Sequence, residues 1–572
     1  MASLADTMSS WALGGAFART RFGPWRQFLM AAESPGPAQE ETLRRILRAN
    51  ATTEFGRAHG FSEIKGQDDY RRAVPVQTFD TLRPYATAQD TTGAPSLTAA
   101  PPVFYQRTSG TLGTPKDVPL TQAGIDRIRR HQRLAAYAQH AGARLFAGKV
   151  VGIGSPAVEG HTAGGTPYGS ATGLIYGSQP AIVRAKFVLP PAVFEIADYD
   201  ARYYTIAALG LAEPRVTGLA TANPSTLVKL LEVINQNAER LLRDVTQGRL
   251  VVDDALSSRQ RQVVDAALQP APQRARDLAA ILDRIGRLTY GDLWPNLAGV
   301  VTWMGGSCAV PLAVLRPQLP ATAIIIEAGY MSSEFRGTIT VDVNRNVGLP
   351  TLLDHYFEFV QRDDWERGDD NFQTLDQLEA GEFYYPIVTT ADGLYRYNIN
   401  DIVCVTGKVG ATPALAFVQK GKGVTSITGE KLTEAQLLEA VQRGAGEFSL
   451  LAGFFVAVAD EERAVYVLYL EATGDKPPPG DKFSRAIDAN LRALNSEYSA
   501  KQASGRLNPI QVRRLRPGCG DAYRRHCVAS GQREAQFKVR HLQYAHEVSF
   551  AFADYVVEDR VVEGGAAEGG RA

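Results

Sequence analysis

The sequence is poor in the residues that disulfide frameworks and metal centres need. It has four cysteines, Cys308, Cys404, Cys519 and Cys527, in 572 residues, and no two of them form a CxxC pair. Its eight histidines form no HExxH pattern or other metal motif. Neither a disulfide-stapled fold nor a zinc site is therefore expected.

Long hydrophobic runs and a net charge are also missing. The longest apolar run, LLAGFFVAVA from Leu450 to Ala459, is far shorter than the ~20 residues of a membrane helix. The N-terminal stretch MASLADTMSSWALGGAFARTRFG has no basic region before its apolar patch, so no secretory signal is expected. Basic and acidic residues both number 61, which favours neither nucleic acid nor a membrane surface as partner. We expect a cytoplasmic protein.

The length of the chain predicts more than one domain. Between residues 39 and 419, β-rich segments alternate with amphipathic helices, which predicts a large α/β domain with mixed sheets. After Lys420 the elements become short and follow an α+β pattern. We expect residues 1–38 to be an N-terminal segment that closes in the loop ESPGPAQE, 420–560 to be a small mobile domain hinged at QKGKG, and 561–572 to be disordered.

One turn-rich stretch, QRTSGTLGTPKDVPLT from Gln106 to Thr121, has the composition of a phosphate-binding loop. Gly110 and Gly113 let consecutive N–H groups point inward, and Lys116 adds a mobile cation. Further donors come from the hydroxyls of Thr108, Ser109, Thr111 and Thr114. The stretch is not a Walker motif, and a plain surface turn of Gly, Ser and Thr has a similar composition.

Three later segments carry polar groups next to strands or turns. GYMSSEFRGT follows the buried-looking strand AIIIEA and brings Tyr330, two serines and Glu334 to the end of that strand, where open α/β sheets bind ligands. GLYRYNIND, with Arg396 and Asp401, precedes another strand. TSITGEKLTEAQ has Lys431 at a turn before a helix. Each has an ordinary alternative, namely a surface acid, a turn aspartate and an exposed lysine.

In this order the segments resemble the motifs of adenylate-forming enzymes. TSGTLGTPK is similar to their phosphate loop, GGS and YMSSE to their adenine and metal motifs, YRYNIND to the ribose motif and GEK to the lysine of the small domain. Within that superfamily the chain resembles the auxin-responsive Gretchen Hagen family of acyl acid amido synthetases. TEFGRAHGF, VPVQTFDTLRPY, ANPSTLVKLL, DHYFEFV, ITGEKLTE and REAQFKVR carry this likeness, which runs from about residue 40 to 555.

The resemblance implies a fold with a large adenylating domain and a small lid domain, and a role for each motif. The loop 108–116 would bind the β- and γ-phosphates of ATP, Glu334 would hold Mg²⁺, and Lys431 and Lys116 would neutralise charge during catalysis. Asp401 would bind both ribose hydroxyls. The remaining residues expected at the nucleotide are Gly305, Gly306, Ser307, Tyr330, Met331, Ser332, Ser333, Arg396 and Phe417. Tyr168 and Ser170, in VEGHTAGGTPYGSATG, would line the acyl pocket, although a structural loop explains them equally well.

Two departures from the family pattern stand in these motifs. Met331 replaces a glycine after the tyrosine of the adenine motif, and Asn400 replaces a glycine before the ribose aspartate. Asparagine tolerates the left-handed conformation better than other non-glycine residues, so we expect the turn to survive. Neither change removes a charged group, so both bear on substrate and rate rather than on reaction class.

The implied activity is two-step acyl activation with ATP and Mg²⁺. A carboxylic acid becomes acyl-AMP, and an amine or amino acid then takes the acyl group to form an amide. A ligase that delivers the acyl group to CoA or a carrier-protein thiol shares the first step and remains an alternative. A second alternative is a protein that binds ATP without turnover. The sequence identifies neither the acid nor the amine.

Overall fold

The structure is a computed structural model, and it describes residues 4–107, 116–177, 181–251, 255–421, 424–428, 430–473, 480–530, 532, 534 and 537–557. The chain divides into two compact units. The first takes residues 1–422 and 528–538, and the second takes 423–527 and 539–572. The segment 528–538, which the sequence analysis assigns to the small domain, therefore groups with the first unit.

The helices are named in chain order. They are α1 Leu4–Thr20, α2 Arg26–Glu33, α3 Pro35–Asn50, α4 Glu54–Ala58, α5 Gln67–Ala73, α6 Phe79–Thr92, α7 Gln122–Ala143, α8 Ala171–Gly177, α9 Ala181–Arg184, α10 Tyr199–Ala212, α11 Ser225–Gln236, α12 Ala238–Gln247, α13 Ser258–Ala267, α14 Pro272–Ile285, α15 Tyr290–Leu293, α16 Ala309–Leu315, α17 Arg362–Arg367, α18 Glu434–Glu447, α19 Gly480–Leu494, α20 Ser496–Ala503 and α21 Cys519–Ala529.

The strands are named in the same way. They are β1 Pro102–Arg107, β2 Asp117–Thr121, β3 Lys149–Gly152, β4 Gly160–His161, β5 Pro167–Gly169, β6 Val216–Ala220, β7 Gly299–Thr302, β8 Ile324–Glu327, β9 Thr338–Asp342, β10 Val347–Pro350, β11 His355–Gln361, β12 Phe372–Gln373, β13 Phe383–Thr390, β14 Tyr397–Asn398, β15 Asp401–Val409, β16 Thr412–Lys420, β17 Val424–Thr425, β18 Leu432–Thr433, β19 Leu451–Asp460, β20 Val465–Thr473, β21 Gln511–Arg514 and β22 Leu542–Tyr544.

A parallel sheet with the order β3-β6-β7-β8 forms the centre of the first unit. Its strands read as nearly continuous apolar runs, as expected for strands buried on both faces. Every residue of β7 is buried. Helices α10, α11, α12 and α14 contribute apolar side chains to the core beside this sheet.

A second, antiparallel sheet has the order β12-β11-β13-β15-β16, and β14 pairs with β13. Asp401 and Lys420, at the two ends of the β15–β16 hairpin, are direct partners in its ladder. Side chains from α3, α5 and α6 belong to the core of this sheet. The predicted mixture of sheets in a large α/β domain is confirmed.

A smaller sheet, β2-β1-β5-β4, contains the strands on either side of residues 108–115. Arg107 and Asp117 close the β1–β2 ladder and form an ion pair with contacts of 2.7 and 2.8 Å. Thr121 ends β2, and its side chain accepts the N–H of Gly124, so it caps α7.

The second unit has the α+β pattern that the sequence predicts. Its sheet has the order β21-β20-β19-β22, with α18 and α19 packed on each other. Thr433 and Gln436 form a capping box at the start of α18.

One local prediction is corrected. The segment ESPGPAQE is not a loop, because α3 begins at Pro35, a residue whose fixed φ suits the first turn of a helix. Helix α11 begins at Ser225, and the side-chain oxygen of Asn223 accepts the Ser225 N–H at 2.9 Å. Residues 422–423 of the expected hinge QKGKG and the tail 561–572 lie outside the described residues. Within the part of the chain that the structure describes, no helix is long and apolar enough to cross a membrane.

Candidate active site

Three strands of the parallel sheet end at one edge, and candidate residues follow each strand. The chain passes from β6 to Asn223, and from β7 to Trp303, Gly305 and Gly306, while β8 ends at Glu327. Open α/β sheets bind ligands at the carboxyl ends of their strands. This edge is therefore where a ligand is expected.

Lys116, Glu334 and Tyr397 form one polar group of the site. The Lys116 ammonium donates to the Tyr397 hydroxyl at 2.9 Å and lies 3.5 Å from the Glu334 carboxylate. Burial and the nearby Glu334 carboxylate raise the pKa of Tyr397, so the phenol stays neutral at physiological pH. The side chain of Glu334 is 7% exposed and that of Lys116 is 36% exposed. A buried carboxylate thus has an accessible cation beside it.

Asp401 and its partners form a second polar group. The Tyr330 hydroxyl donates to Asp401 Oδ2 at 2.8 Å, and Lys420 Nζ lies 2.5 Å from Oδ1. Burial alone would lower the pKa of Lys420, but the Asp401 and Glu334 carboxylates outweigh it and raise that pKa. Both oxygens of the predicted ribose-binding carboxylate are therefore already in contact with side chains of the protein.

The residues expected around adenine lie close together. A Cβ at Gly305 would be 2.5 Å from the Phe417 carbonyl oxygen, and Gly306 has a φ of +58°, so glycine is required at both positions. The rings of Tyr330 and Phe417 are stacked, with centroids 6.0 Å apart and planes 14° apart. Ser307 lies in the 3-10 turn that begins at Gly306.

Local hydrogen bonds shape the loop that carries Glu334. The Ser332 hydroxyl accepts the N–H of Glu334 at 3.1 Å, and Met331 forms an isolated β-bridge with Arg336. Ser333 is buried. These contacts fix the backbone on both sides of Glu334.

Lys538 is a cation of this site to which the sequence analysis assigned no role. It belongs to segment 528–538, and its Nζ lies 4.2 Å from the ring centroid of Trp303 and 5.4 Å from that of Phe417. Asn223, beyond β6, donates to the Phe537 carbonyl next to it. Lys538 belongs to the motif REAQFKVR, which carries part of the family resemblance. The position of this motif along the chain does not indicate that it contacts the carboxyl edge of the parallel sheet.

The electrostatics of Lys538 combine burial with several charged neighbours. Burial lowers its pKa and Lys420 adds to that effect, while Cys308, Asp401 and Glu327 oppose it. Burial also raises the pKa of Glu327, although the N–H groups behind it partly offset this. The edge therefore holds a partly destabilised cation that an added anion would stabilise.

Arg396 does not join these groups, although the sequence analysis expected it at the nucleotide. Its Nε donates to Glu358 at 2.9 Å, and its Nη1 donates to the carbonyls of Arg71 and Val74 at 3.2 and 2.8 Å. Both Arg396 and Glu358 are buried. A buried carboxylate needs a partner of opposite charge, which Arg396 supplies to Glu358, and the nucleotide role expected for Arg396 stays a prediction.

The turn before Asp401 tolerates its asparagine as expected. Asn400 has a φ of +59°, in the left-handed region. The side-chain oxygen of Asn398 accepts the Asn400 N–H at 2.6 Å. The departure from glycine at this position therefore leaves the turn intact.

Two further predictions concern other parts of the chain. Lys431 belongs to the second unit, is exposed and has a φ of +46°, and its carbonyl accepts a hydrogen bond from Asn495 at 3.4 Å. The preceding Glu430 is buried, and its carboxylate accepts the N–H groups of Ile427 and Thr428. The expected phosphate-binding residues Thr108, Ser109, Gly110, Thr111 and Gly113 lie outside the described residues.

A cavity of about 50 Å³ opens beside Glu334. Its lining is formed by Gln106, Pro119, Leu120, Gly124, Arg127, Ile128, His131, Ala171, Ile175, Met331, Ser332, Glu334, Phe335, Arg336, His355 and Asp392. Tyr168 and Ser170, expected at the acyl substrate, are not among them. The Arg107 guanidinium lies 3.4 Å from the centroid of the Tyr168 ring, and the Ser170 hydroxyl accepts the Gly173 N–H at 3.0 Å in the first turn of α8.

Buried polar groups form part of the cavity wall. His131 lies 2.7 Å from the Asp354 carboxylate, and burial lowers the pKa of both His131 and His355. Among the described residues, the buried Nδ1 of His355 has no hydrogen-bond partner. Side chains alternate along β1, and Gln106 faces this cavity. The alternation can be inferred from the sequence, but the position of the cavity cannot.

Two solved structures share the fold of this chain. A 2-hydroxyisobutyryl-CoA ligase in the postadenylation state superposes with a TM-score of 0.52 at 14% identity, over 88% of this chain and 91% of that one. A GH3.15 acyl acid amido synthetase superposes with a TM-score of 0.81 at 21% identity, over 93% of this chain and 96% of that one.

The chain belongs to the GH3 family. Its residues 25–321 match the GH3 family N-terminal domain, 349–420 the central domain and 435–547 the C-terminal domain. It is 27% identical to the indole-3-acetic acid-amido synthetase GH3.10 of Arabidopsis thaliana, over 89% of this chain and 93% of that protein. It is 26% identical to the jasmonoyl–L-amino acid synthetase JAR6 of Nicotiana attenuata, over 90% of this chain and 92% of that protein.

Proposed function

We propose that the chain is an ATP-dependent ligase that activates a carboxylic acid as acyl-AMP and transfers the acyl group to an amine or amino acid. The products are an amide, AMP and pyrophosphate. The observation that carries the proposal is the position of Glu334, which contacts Lys116 and Tyr397 and also lines the cavity. An acid bound in that cavity would have its carboxylate beside groups suited to ATP phosphates.

In the first step a carboxylate oxygen bonds to the α-phosphorus of ATP, and the bond from that phosphorus to the pyrophosphate oxygen breaks. Both reactants are anions, so positioning and charge neutralisation supply the catalysis. Lys116 and the 108–113 stretch would bind the β- and γ-phosphates. Lys538 adds a second cation at the same edge of the sheet, beside Asp401 and Glu327.

Mg²⁺ fits this site through Glu334. Magnesium is usually held by one or two carboxylates together with substrate phosphates rather than by a cage of protein ligands. Glu334 is such a single buried carboxylate, and no group of three His, Cys, Asp or Glu side chains suited to a metal is found among the described residues. Bound there, the ion would neutralise phosphate charge as pyrophosphate departs.

Asp401 would bind the ribose, and the stacked rings of Tyr330 and Phe417 would flank adenine beside Gly305 and Gly306. A carboxylate has about four lone-pair sites, so Asp401 accepts further hydrogen bonds while it keeps Tyr330 and Lys420. The ribose hydroxyls would therefore donate to a carboxylate that already contacts Tyr330 and Lys420.

The acid would occupy the cavity beside Glu334. Its small volume of about 50 Å³ favours a compact acid, and Met331 is a flexible side chain that adjusts to the shape of a ligand. The unpartnered Nδ1 of His355 favours an acid with a hydrogen-bonding group remote from its carboxylate. Tyr168 and Ser170 would then act through the backbone behind this wall.

In the second step the amine attacks the acyl carbon and AMP leaves. The names of the relatives, amido synthetases for indole-3-acetic acid and jasmonoyl–amino acid synthetases, support an amino acid as acceptor. Lys431 would act in adenylation only. The four cysteines are unpaired, which suits the reducing cytoplasm where we propose that the enzyme works.

The experiment is ATP–pyrophosphate exchange with a panel of aryl, indolyl and aliphatic acids, each paired with a hydroxylated analogue. Acid-dependent exchange is expected, and it is expected to be stronger for the hydroxylated acid of the preferred pair. Amino acids and CoA are then added separately to the preformed acyl-AMP enzyme. Amide formation is the expected outcome, whereas a thioester product would favour the CoA ligase. ATP binding without exchange for any acid would overturn the proposal.

A further inference from the structure

A second cavity, of about 270 Å³, lies outside the site described above. One wall is a face of α6, and the others come from β1, β2 and the turn between β4 and β5. Its lining includes Arg83, Asp90, Tyr105, Arg107, Asp117 and Thr162. Side chains alternate along β1, so Tyr105 and Arg107 face this cavity and Gln106 faces the one beside Glu334. The strand thus separates the two cavities.

Asp90 is a fixed carboxylate in this wall. It accepts hydrogen bonds from the Thr162 hydroxyl at 2.6 Å and from the Gly164 N–H at 2.9 Å, both neutral donors. Among the described residues it has no ion-pair partner. By contrast, Asp117 is neutralised by the two contacts to Arg107. Asp90 is therefore the carboxylate in this cavity that attracts a cationic ligand.

The Tyr105 hydroxyl is a second sign of a ligand. Tyr105 is 1% exposed, and its hydroxyl has no hydrogen-bond partner in the described part of the chain. Burial, together with the Asp90 and Asp117 carboxylates, raises the pKa of Tyr105, so the hydroxyl is protonated and lies within electrostatic range of both acids. A buried phenol without a partner is uncommon, because leaving it unpaired is unfavourable. Tyr105 therefore offers a donor for which the described residues supply no acceptor.

The two requirements define the chemistry of an occupant. Asp90 selects a cation and Tyr105 needs an acceptor, whereas Arg83 and Arg107 in the same wall are each paired with an aspartate, Asp80 and Asp117. A buried water needs about 10–15 Å³ of cavity space, so the cavity has room for a small organic molecule. We propose that this cavity binds a free α-amino acid, with the ammonium on Asp90 and the carboxylate on Tyr105. This site is separate from the acyl cavity and does not depend on the proposed ligase activity.

The test is calorimetric titration of the full-length chain without ATP or acid. The probes are glycine, a panel of L-amino acids, and methylamine and acetate as the two halves of glycine. We expect saturable binding of an amino acid and at least tenfold weaker binding of each half. Tyr105→Phe should weaken binding about tenfold, as for loss of one hydrogen bond to a charged group. Asp90→Asn should weaken it at least as much.

Matched variants make the outcome specific. Asp126→Asn removes an exposed carboxylate of α7 that is outside the cavity lining, and Tyr85→Phe removes a phenol that is also outside it; both should leave affinity unchanged. Tyr105→Phe should not lower the unfolding temperature, because its hydroxyl has no described partner to lose. Absence of saturable binding would overturn the proposal, since the cavity then holds water only. Binding that both cavity variants leave unchanged would overturn it as well.

Discussion

Replacement of Asp401 by asparagine keeps the size of the side chain and removes its charge. In the structure that charge holds Lys420 at 2.5 Å and the Tyr330 hydroxyl at 2.8 Å, and it also stabilises Lys538. A hydrogen bond to a charged group contributes about 1.5–3 kcal/mol. If the ribose adds one such net bond, affinity for ATP should fall roughly 10- to 150-fold.

The assay is isothermal titration with a non-hydrolysable ATP analogue, accompanied by thermal unfolding. Asp244→Asn is a matched control, because Asp244 is also buried and accepts the hydroxyl of Tyr204 at 2.8 Å. Both variants should lose stability, but only Asp401→Asn should lose nucleotide affinity. Unchanged affinity in a folded Asp401→Asn protein would refute the reasoning and leave Asp401 with a purely structural ion pair.

Other variants test further parts of the proposal. Glu334→Gln should lower pyrophosphate exchange by at least ~10²-fold, about 2.7 kcal/mol, through loss of the magnesium ligand; exchange within a few-fold of wild type would remove it from the site. Lys538→Met should lower exchange at least tenfold without lowering the unfolding temperature, because burial disfavours this charge; a drop in both would indicate a structural role. Lys431→Ala should impair exchange yet spare aminolysis of supplied acyl-AMP, and equal damage to both steps would contradict this division. Burial lowers the pKa of His541 from 6.5 to about 4, a difference of about 2.5 units or roughly 3 kcal/mol. Only the unfolded chain is protonated between these values, so stability should be lost as pH falls from 6.5 to 4, and His541→Gln should flatten that dependence in denaturant titrations.

The sequence predicts the parts of the site that depend on neighbours along the chain. Thr121 caps its helix because a cap and its first turn are contiguous, and Asn400 adopts the left-handed turn that its residue type permits. Glu334 and Tyr330 follow a strand whose apolar run is visible in the sequence. Such features need only local chemistry.

Long-range pairing explains what the sequence does not predict. Lys420 meets Asp401 because of the register of one hairpin, and Arg396 meets Glu358 from a different strand of the sheet. Lys538 reaches the first unit only because the chain returns there after residue 527. The cavity beside Glu334, where we propose that the acid binds, has a wall from β1, α7 and the loop after β8, while the acyl role expected for Tyr168 stays a prediction. None of these contacts leaves a periodic signal in the sequence.

The return of segment 528–538 to the first unit has a consequence for how this protein can be divided. A fragment that ends at residue 422 would lack Lys538 and also Glu534, the partner of Arg202. In a chimera joined at residue 422 to the second half of a relative, the segment equivalent to 528–538 would come from the relative. Trp303 and Asn223, which contact that segment, would come from this chain. Genetic exchange at residue 422 therefore transfers segment 528–538, which belongs to the first unit, together with the second unit. The two units are formed by four alternating stretches of chain, 1–422, 423–527, 528–538 and 539–572, rather than by two continuous halves.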